Sequence, residues 1–493
     1  MRNRINILMI IGLLTMGIMG AGCSDWLDVK PKSEIKSDIL FETEGGFKDA
    51  LIGTYLLMGD YNMYGMEMTV GFVEVIGQQY DITKVSNNYY QLANQYDYTS
   101  SGKSRIASIW SKTYNTLANI NNILGNIDEK RAILHPTNYA MIKGECLGLR
   151  AFLHLDMLRL FGYGDWENHP ENSQKLTIPY VTEYTKHYAL QLTETQVLEY
   201  ILNDLAQAEV LLNSNDPWGV ASKGADYELP NDDKFYDKRS WRFNYYAVCA
   251  TQARAYLWMR DYKKTLECVS IVIDNAQSRD LVKWNENMEN PEASKRDLTG
   301  TTEYVFGLHV SKLSDKVEPY LVNFTQSGGN PNFLSQTKNR LDRIYEINAG
   351  GGSDYRYRYC CNTDEDPCAF IKYKAVENNE FQNSMPLIKK PELYYIAAEC
   401  LNRTGNPEDA KQAVAMLNTV RKRRNIAELS ENMQQEAITK EILKEYQKEF
   451  LCEGQIFYYY KRMGIATIEG KAMSEATYKL PLPDAEIESG GRE

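Results

Sequence analysis

Glu392-Leu393-Tyr394-Tyr395-Ile396-Ala397-Ala398-Glu399-Cys400-Leu401 runs into the turn Thr404-Gly405-Asn406, and Pro407 opens a second segment with Ala410 one turn in. Apolar residues at three- and four-residue spacing predict helices over 391–403 and 407–424, joined across the glycine. Small residues at facing positions let two such helices approach closely, the logic of tetratricopeptide repeats. The arrangement recurs upstream. Ala253-Arg254-Ala255-Tyr256-Leu257 precedes a tight turn at Arg260-Asp261, and Tyr262 opens the partner helix. No strict period links the two copies, so they are degenerate, and an irregular helical bundle is the alternative. The predicted fold is mostly α: a tetratricopeptide-like scaffold of helix pairs in a single large domain, with long loops and a few short strands.

Further helices are predicted over 104–127, 139–161, 193–212 and 435–452, the third opened by a capping box of Thr193 and Gln196. The scaffold thus occupies about 104–277 and 391–453. Residues 54–103 and 278–385 are rich in Tyr, Asn, Gly and Ser, with only short apolar runs such as Tyr304-Val305-Phe306-Gly307-Leu308. They read as long loops with short strands, and long loops on a rigid frame are where binding usually sits. The alternation Tyr355-Arg356-Tyr357-Arg358-Tyr359 reads as an edge strand with Arg outward.

Across 493 residues, 43% are hydrophobic and 25% charged, which excludes a disordered, collagen-like or polytopic membrane chain. The net charge of -11 repels phosphate backbones and argues against a nucleic-acid partner. The chain carries 35 Tyr against 14 Phe. That excess suits aromatic faces in contact with water, since a Tyr hydroxyl stays solvated while its ring stacks.

Arg2 and Arg4 precede an apolar run over 5–19, which ends in Gly20-Ala21-Gly22-Cys23. Residues 1–22 read as a lipoprotein signal peptide and Cys23 as the lipidated residue. Lipid on Cys23 would hold the mature chain, 23–493, at a membrane without spanning it. Cys146, Cys249, Cys268, Cys400 and Cys452 fall in helical stretches and read as buried thiols. Cys360, Cys361 and Cys368 share one loop, where a disulfide from Cys368 to one of the other two is expected, Cys361 being the candidate. Zinc is disfavoured because no His lies near, and the EF-hand pattern is absent around Asp364, Glu365 and Asp366. No metal or cofactor is expected.

Six pieces in order resemble the SusD/RagB family of outer-membrane nutrient-binding lipoproteins from Bacteroidetes-type bacteria. They are Cys23-Ser24-Asp25-Trp26-Leu27-Asp28; Arg150-Ala151-Phe152 with Arg159-Leu160-Phe161-Gly162; Val197 to Leu205 with Ala208; Glu392 to Cys400; Glu445 to Gly454 with Lys461-Arg462-Met463-Gly464; and Leu480-Pro481-Leu482-Pro483. Gln455 departs from the family's usual Arg, Tyr458 to Tyr460 replace a polar-Leu run, and Lys389-Lys390 stand near a position often held by Arg. The resemblance implies a binding protein rather than a catalyst. Such a protein captures glycans, or in some cases peptides, and passes them to a TonB-dependent outer-membrane transporter of the SusC type. It implies lipid anchoring in the outer membrane with exposure at the cell surface. It carries over no ligand residue, because those lie outside the shared motifs.

Candidate ligand residues come from the chemistry of sugars: an apolar ring face suits Tyr or Trp, and a hydroxyl rim suits Asn, Asp, Gln or Arg. The densest stretch, 61–98, holds Tyr61, Tyr64, Tyr89 and Tyr90, the last two flanked by Asn87 and Asn88. A second group is Tyr320 and Phe324, and Trp218 is a third candidate. For each, half-buried packing is the competing reading. Nucleophile-elbow, zincin, phosphate-loop and dinucleotide motifs are absent, so an enzyme is disfavoured. A peptide-binding member of the same family, or a helical-repeat interaction scaffold without a nutrient ligand, remains open.

Overall fold

Thr43 caps a helix by accepting a hydrogen bond from Gly46 N (3.1 Å). That helix is α1 (Glu44–Met58), which buries Phe47, Leu51 and Met58. The computed structural model describes residues 39–83, 88–322, 333–490 and 492. Cys23 and the signal segment fall outside them.

After α2 (Phe72–Ile76) and α3 (Asn88–Asn94) come three long helices, α4 (Ser100–Ile127), α5 (Pro136–Phe161) and α6 (Glu194–Asn215). Helix α5 is buried on nearly every face, as a central helix must be. Its glycines set the approach. A Cβ on Gly144 would come within 2.8 Å of Leu212 in α6, and one on Gly148 within 2.3 Å of Phe243. The capping box of α6 forms as read: Gln196 N donates to Thr193 Oγ1 (3.3 Å) and Thr193 N to Gln196 Oε1 (2.9 Å).

Next come α7 (Tyr245–Trp258), α8 (Tyr262–Ser278), β1 (Tyr304–His309), α9 (Leu313–Leu321), α10 (Lys338–Ile344) and α11 (Tyr355–Cys360). The chain continues through β2 (Cys361–Asn362), β3 (Ala369–Phe370), β4 (Ser384–Lys389), α12 (Lys390–Asn402), α13 (Pro407–Arg423), α14 (Gln435–Glu449) and α15 (Ile456–Arg462). The pairs α7/α8 and α12/α13 stack through α8 on α12, while α4, α5, α6 and α7 pack in sequence. The fold is thus mostly helical, with helix pairs where the periodicity placed them. One continuous buried core runs from Phe41 to Leu482. Among the described residues, no helix is long and apolar enough to cross a membrane.

Strands β1 and β4 form an antiparallel ribbon in which Tyr304 faces Lys389 and His309 faces Ser384. It leads directly into α12, so the ribbon fixes how the second helix pair sits. Beside it lies a closed ionic network. Arg424 donates to Glu303 (2.6 and 2.9 Å) and to Glu449 (2.9 and 3.0 Å). Lys389 reaches Glu449 (2.8 Å) and Glu453 (2.7 Å), and Arg356 reaches Glu449 (2.9 Å) and Glu445 (3.1 Å). The network ties β4, α11 and α14 to Glu303, just before β1, and to Arg424, just after α13.

Three expectations are corrected. The stretch 355–359 is the start of α11, not an edge strand: Asp354 accepts from Arg356 N (2.9 Å) as a cap, and Arg356 turns inward to the acids. The Cys361–Cys368 disulfide is not formed. Both thiols are free and buried; Cys361 stands opposite Phe370 in the β2–β3 register, and Cys368 exchanges backbone hydrogen bonds with Gln336. The stretch 54–103 is less loop-like than read. It holds α2 and α3, and residues 63–80 are buried throughout. Met63, Met66, Met68, Val70, Phe72, Val73, Val75 and Ile76 give that segment enough apolar surface to fold into the core.

Candidate functional site

Residues of the two predicted aromatic segments meet. Tyr61 follows α1, Tyr320 lies in α9, and the Tyr61 hydroxyl donates to the Tyr320 hydroxyl at 2.9 Å. The ring centroids are 6.5 Å apart and inclined at 49°. Both residues are half-buried. Behind them, Tyr90 meets Tyr320 edge-on (6.2 Å), Tyr89 packs on Tyr90 (4.9 Å), and Tyr89 stacks on Phe72 (6.0 Å).

Arg105, in the second turn of α4, reaches across this cluster. Its guanidinium lies 5.3 Å from the Tyr61 centroid and 4.9 Å from that of Tyr89. It donates to Asn62 Oδ1 (3.0 Å) and lies 3.3 Å from Glu67. The Arg105 side chain is 29% exposed, whereas that of Glu67 is fully enclosed. Glu67 accepts from Phe72 N (3.0 Å) and from the Tyr89 and Tyr90 hydroxyls (3.4 Å each). Burial lifts the Glu67 carboxyl to about 7, and Arg105 opposes that rise. The rim is completed by Asp60, which holds Asn62 N (2.8 Å) and pairs with Lys112 (3.2 Å), and by Lys316, which donates to Gly59 O (2.9 Å).

The arrangement can offer two tyrosine faces to an apolar ring surface, with Arg, Asn and Lys groups around them for hydroxyls. Among the described residues, no group of three His, Cys, Asp or Glu is placed to hold a metal ion.

The predicted residues divide. Tyr61 and Tyr320 reach the surface together. Tyr89 and Tyr90 are buried and form the support beneath. Tyr64 belongs to the core, its hydroxyl donating to Asp156 (2.6 Å) and its ring packing on Phe152. Trp218 packs elsewhere, against Tyr246 at 6.0 Å, with Arg279 donating to its carbonyl (2.9 Å). Asn87, Phe324 and the side chain of Asn88 lie outside the described residues. Sequence reasoning missed Arg105, Glu67, Lys112 and Lys316. Glu67 had a signal, a lone acid between Met66 and Met68 in an apolar run. The others had none, because helical charges usually face solvent.

A family model described as "SusD family" matches residues 369–487, and one described as "Starch-binding associating with outer membrane" matches residues 25–229. Among curated proteins, the chain is 23% identical over 211 residues to SusD-like protein P25 of Formosa agariphila. That match covers 41% of this chain and 38% of the relative's length. Among solved structures, a SusD superfamily protein of Bacteroides vulgatus superposes with a TM-score of 0.68 at 20% identity, covering 92% of this chain and 98% of that one. A SusD superfamily protein of Bacteroides thetaiotaomicron gives 0.68 at 21% identity, covering 91% and 98%. A SusD-like carbohydrate binding protein of Bacteroides vulgatus gives 0.67 at 17% identity, covering 91% and 97%. At these identities the structural likeness establishes the fold.

Proposed function

We propose, from the premise that the chain belongs to the SusD/RagB family, that it is a glycan-binding protein of the outer membrane. It captures oligosaccharides at the Tyr61–Tyr320 face and hands them unaltered to a TonB-dependent transporter of the SusC type. Lipidation at Cys23 tethers it, with the binding face outside the cell. The observation that carries this reading is the meeting of Tyr61 and Tyr320, 259 positions apart, under the guanidinium of Arg105. Half-buried rings beside a polar rim suit a sugar, which needs an apolar face and a set of hydroxyl partners. The family description "Starch-binding associating with outer membrane" supports both the ligand class and the location.

The test is a titration against a panel of oligosaccharides, beginning with malto-oligosaccharides, beside a panel of short peptides. The reading expects a saturable glycan signal and intact glycan afterwards. A flat glycan panel beside a peptide signal would transfer the site to the peptide-binding reading. Glycan cleavage by the pure protein would overturn the absence of catalysis.

A further inference from the structure

Away from the tyrosine face, at the start of α12, lies an open groove of about 540 Å³. Its lining includes Val282, Trp284, Asn287, Thr302, Lys390 and Arg423, together with the charged residues Asp280, Lys283 and Glu286. That volume is within the roughly 300–1,000 Å³ of small-molecule sites. None of these residues takes part in the tyrosine cluster or the ionic network.

Three observations point to a ligand. The first is Lys390. It is only 4% exposed, yet its ammonium has a single hydrogen-bond partner, the Val282 carbonyl (2.8 Å). Among the described residues, no carboxylate lies within 4.0 Å of it. The acids nearby are engaged: Asp280 with Lys283 (2.5 Å) and Glu303 with Arg424. A buried ammonium without a counter-ion is costly. Burial accordingly pulls its pKa down and Arg423 adds to this, while Glu303 and Asp280 oppose it. The second is Thr302, whose buried Oγ1 has no hydrogen-bond partner. The third is Trp284. Its ring is flanked by two cations, Lys390 at 4.7 Å and Arg423 at 5.9 Å, and among the described residues the ion-pair partner of Arg423 is Glu286, at 4.0 Å. With Lys283, Lys390 and Arg423 against Asp280 and Glu286, the groove carries one net positive charge and an aromatic wall in a chain of net charge -11.

We propose that this groove is a second binding site, for the carboxylate of an acidic sugar. Lys390 and Arg423 take the carboxylate, Asn287 takes a ring hydroxyl, and Trp284 with Val282 forms the apolar wall. The choice of a sugar rests on the glycan reading above; the site itself does not depend on the Tyr61–Tyr320 face.

Titration of the full chain with D-glucuronate, D-glucose and inorganic sulfate, followed through the Trp284 indole N–H resonance and by calorimetry, tests it. Glucuronate is expected to saturate the site and glucose to bind at least tenfold more weakly. Arg423→Gln, at an exposed position, should weaken glucuronate at least fivefold, and Lys390→Met should weaken it further. Tyr61→Ala should leave it unchanged. A flat glucuronate titration, equal binding of glucose, or no effect of Arg423→Gln overturns the site. Sulfate as tight as glucuronate would make the groove a bare oxyanion site and overturn the sugar. Loss of glucuronate in Tyr61→Ala but not in Arg423→Gln would place the acidic sugar at the tyrosine face, sinking this proposal while sparing the first.

Discussion

Glu67 under the tyrosine face and Glu449 in the ionic network are both enclosed carboxylates, yet their charges are held oppositely. Burial lifts Glu67 to about 7. Burial also pushes Glu449 up, but Arg424, Lys389 and Arg356 outweigh it and hold the carboxyl well below its ordinary value. Glu67 has one cation, at 3.3 Å and part-exposed, with phenols as its other side-chain partners. Glu449 has three, all within 2.9 Å and buried. What is enclosed with a carboxylate, more than how deeply it lies, decides whether it stays charged. The network is therefore a closed joint between elements, whereas the tyrosine face keeps an open, adjustable charge.

The harshest way to break that contrast is to remove one cation from the joint. Arg424→Leu leaves Glu303 short of its bidentate partner and Glu449 short of one of three. Removing one side of a buried ion pair typically costs about 3–5 kcal/mol. Denaturant unfolding should show a loss of that order, and a loss below about 1 kcal/mol would mean that the joint is not closed. Replacing Arg105 by Leu, in contrast, should cost clearly less, because its guanidinium is part-solvated.

The second test uses pH, where the two acids act with opposite sign. The folded value of Glu67 lies above its ordinary 4.5, so the folded state holds a proton that the unfolded chain has released between those values. Its contribution is fully present below about 4.5 and is lost as pH rises through about 7, a total of ~3 kcal/mol. Glu449 contributes above its ordinary range and loses that contribution as pH falls toward its depressed value. Glu74, raised to about 8 by burial, shares the sign of Glu67, so wild type alone does not isolate either. The difference between wild type and Glu67→Gln does. The variant should gain up to ~3 kcal/mol relative to wild type between pH 5 and pH 8, and a flat difference would mean that Glu67 titrates normally.

Third, the open face should matter for ligand more than for the fold. Tyr61→Ala and Tyr320→Ala are each expected to weaken glycan binding about tenfold, or ~1.4 kcal/mol, in the calorimetric titration. Tyr64→Phe should leave binding unchanged, because its hydroxyl serves Asp156 in the core. If Tyr64→Phe weakened binding as much as Tyr61→Ala, the division between face and core would fail.

The same contrast explains what could be read in the chain beforehand. The pairs α7/α8 and α12/α13 were legible because period, small residues and turn agreed at each level. Gly405 at φ +73° ends α12, where few other residues would turn so readily. Tyr61 and Tyr320 were legible as residue types, but their meeting was not, since nothing local encodes a contact across 259 positions. The tyrosine excess was misleading in part. It pointed to wet aromatic faces, yet many of these hydroxyls find internal acceptors: Tyr80 on Val70 O (2.8 Å), Tyr96 on Ile76 O (3.1 Å), Tyr98 on Thr477 O (2.7 Å). A phenol satisfied by a backbone carbonyl buries as comfortably as a Phe and also pins the segments it joins. The ionic joint was illegible for a related reason. Its members come from five separate stretches of the chain, around 303, 356, 389, 424 and 445–453, and each alone resembles a solvated charge.

The gentlest probe is Asn62. Its Oδ1 accepts from Arg105 (3.0 Å), and its own backbone is held by Asp60. Asn62→Ala removes one hydrogen bond at a part-exposed position, where water can replace it, so stability should fall by no more than ~1 kcal/mol. Arg105 would then be free to swing off the Tyr61 ring, because Asn62 is the neutral partner holding it there. The expected outcome is a small stability change with a larger, several-fold change in glycan affinity, measured on the same preparation. Equal small changes in both would mean that Arg105 is held by Glu67 alone. A large stability loss would mean that the tyrosine face is as closed as the joint around Glu449.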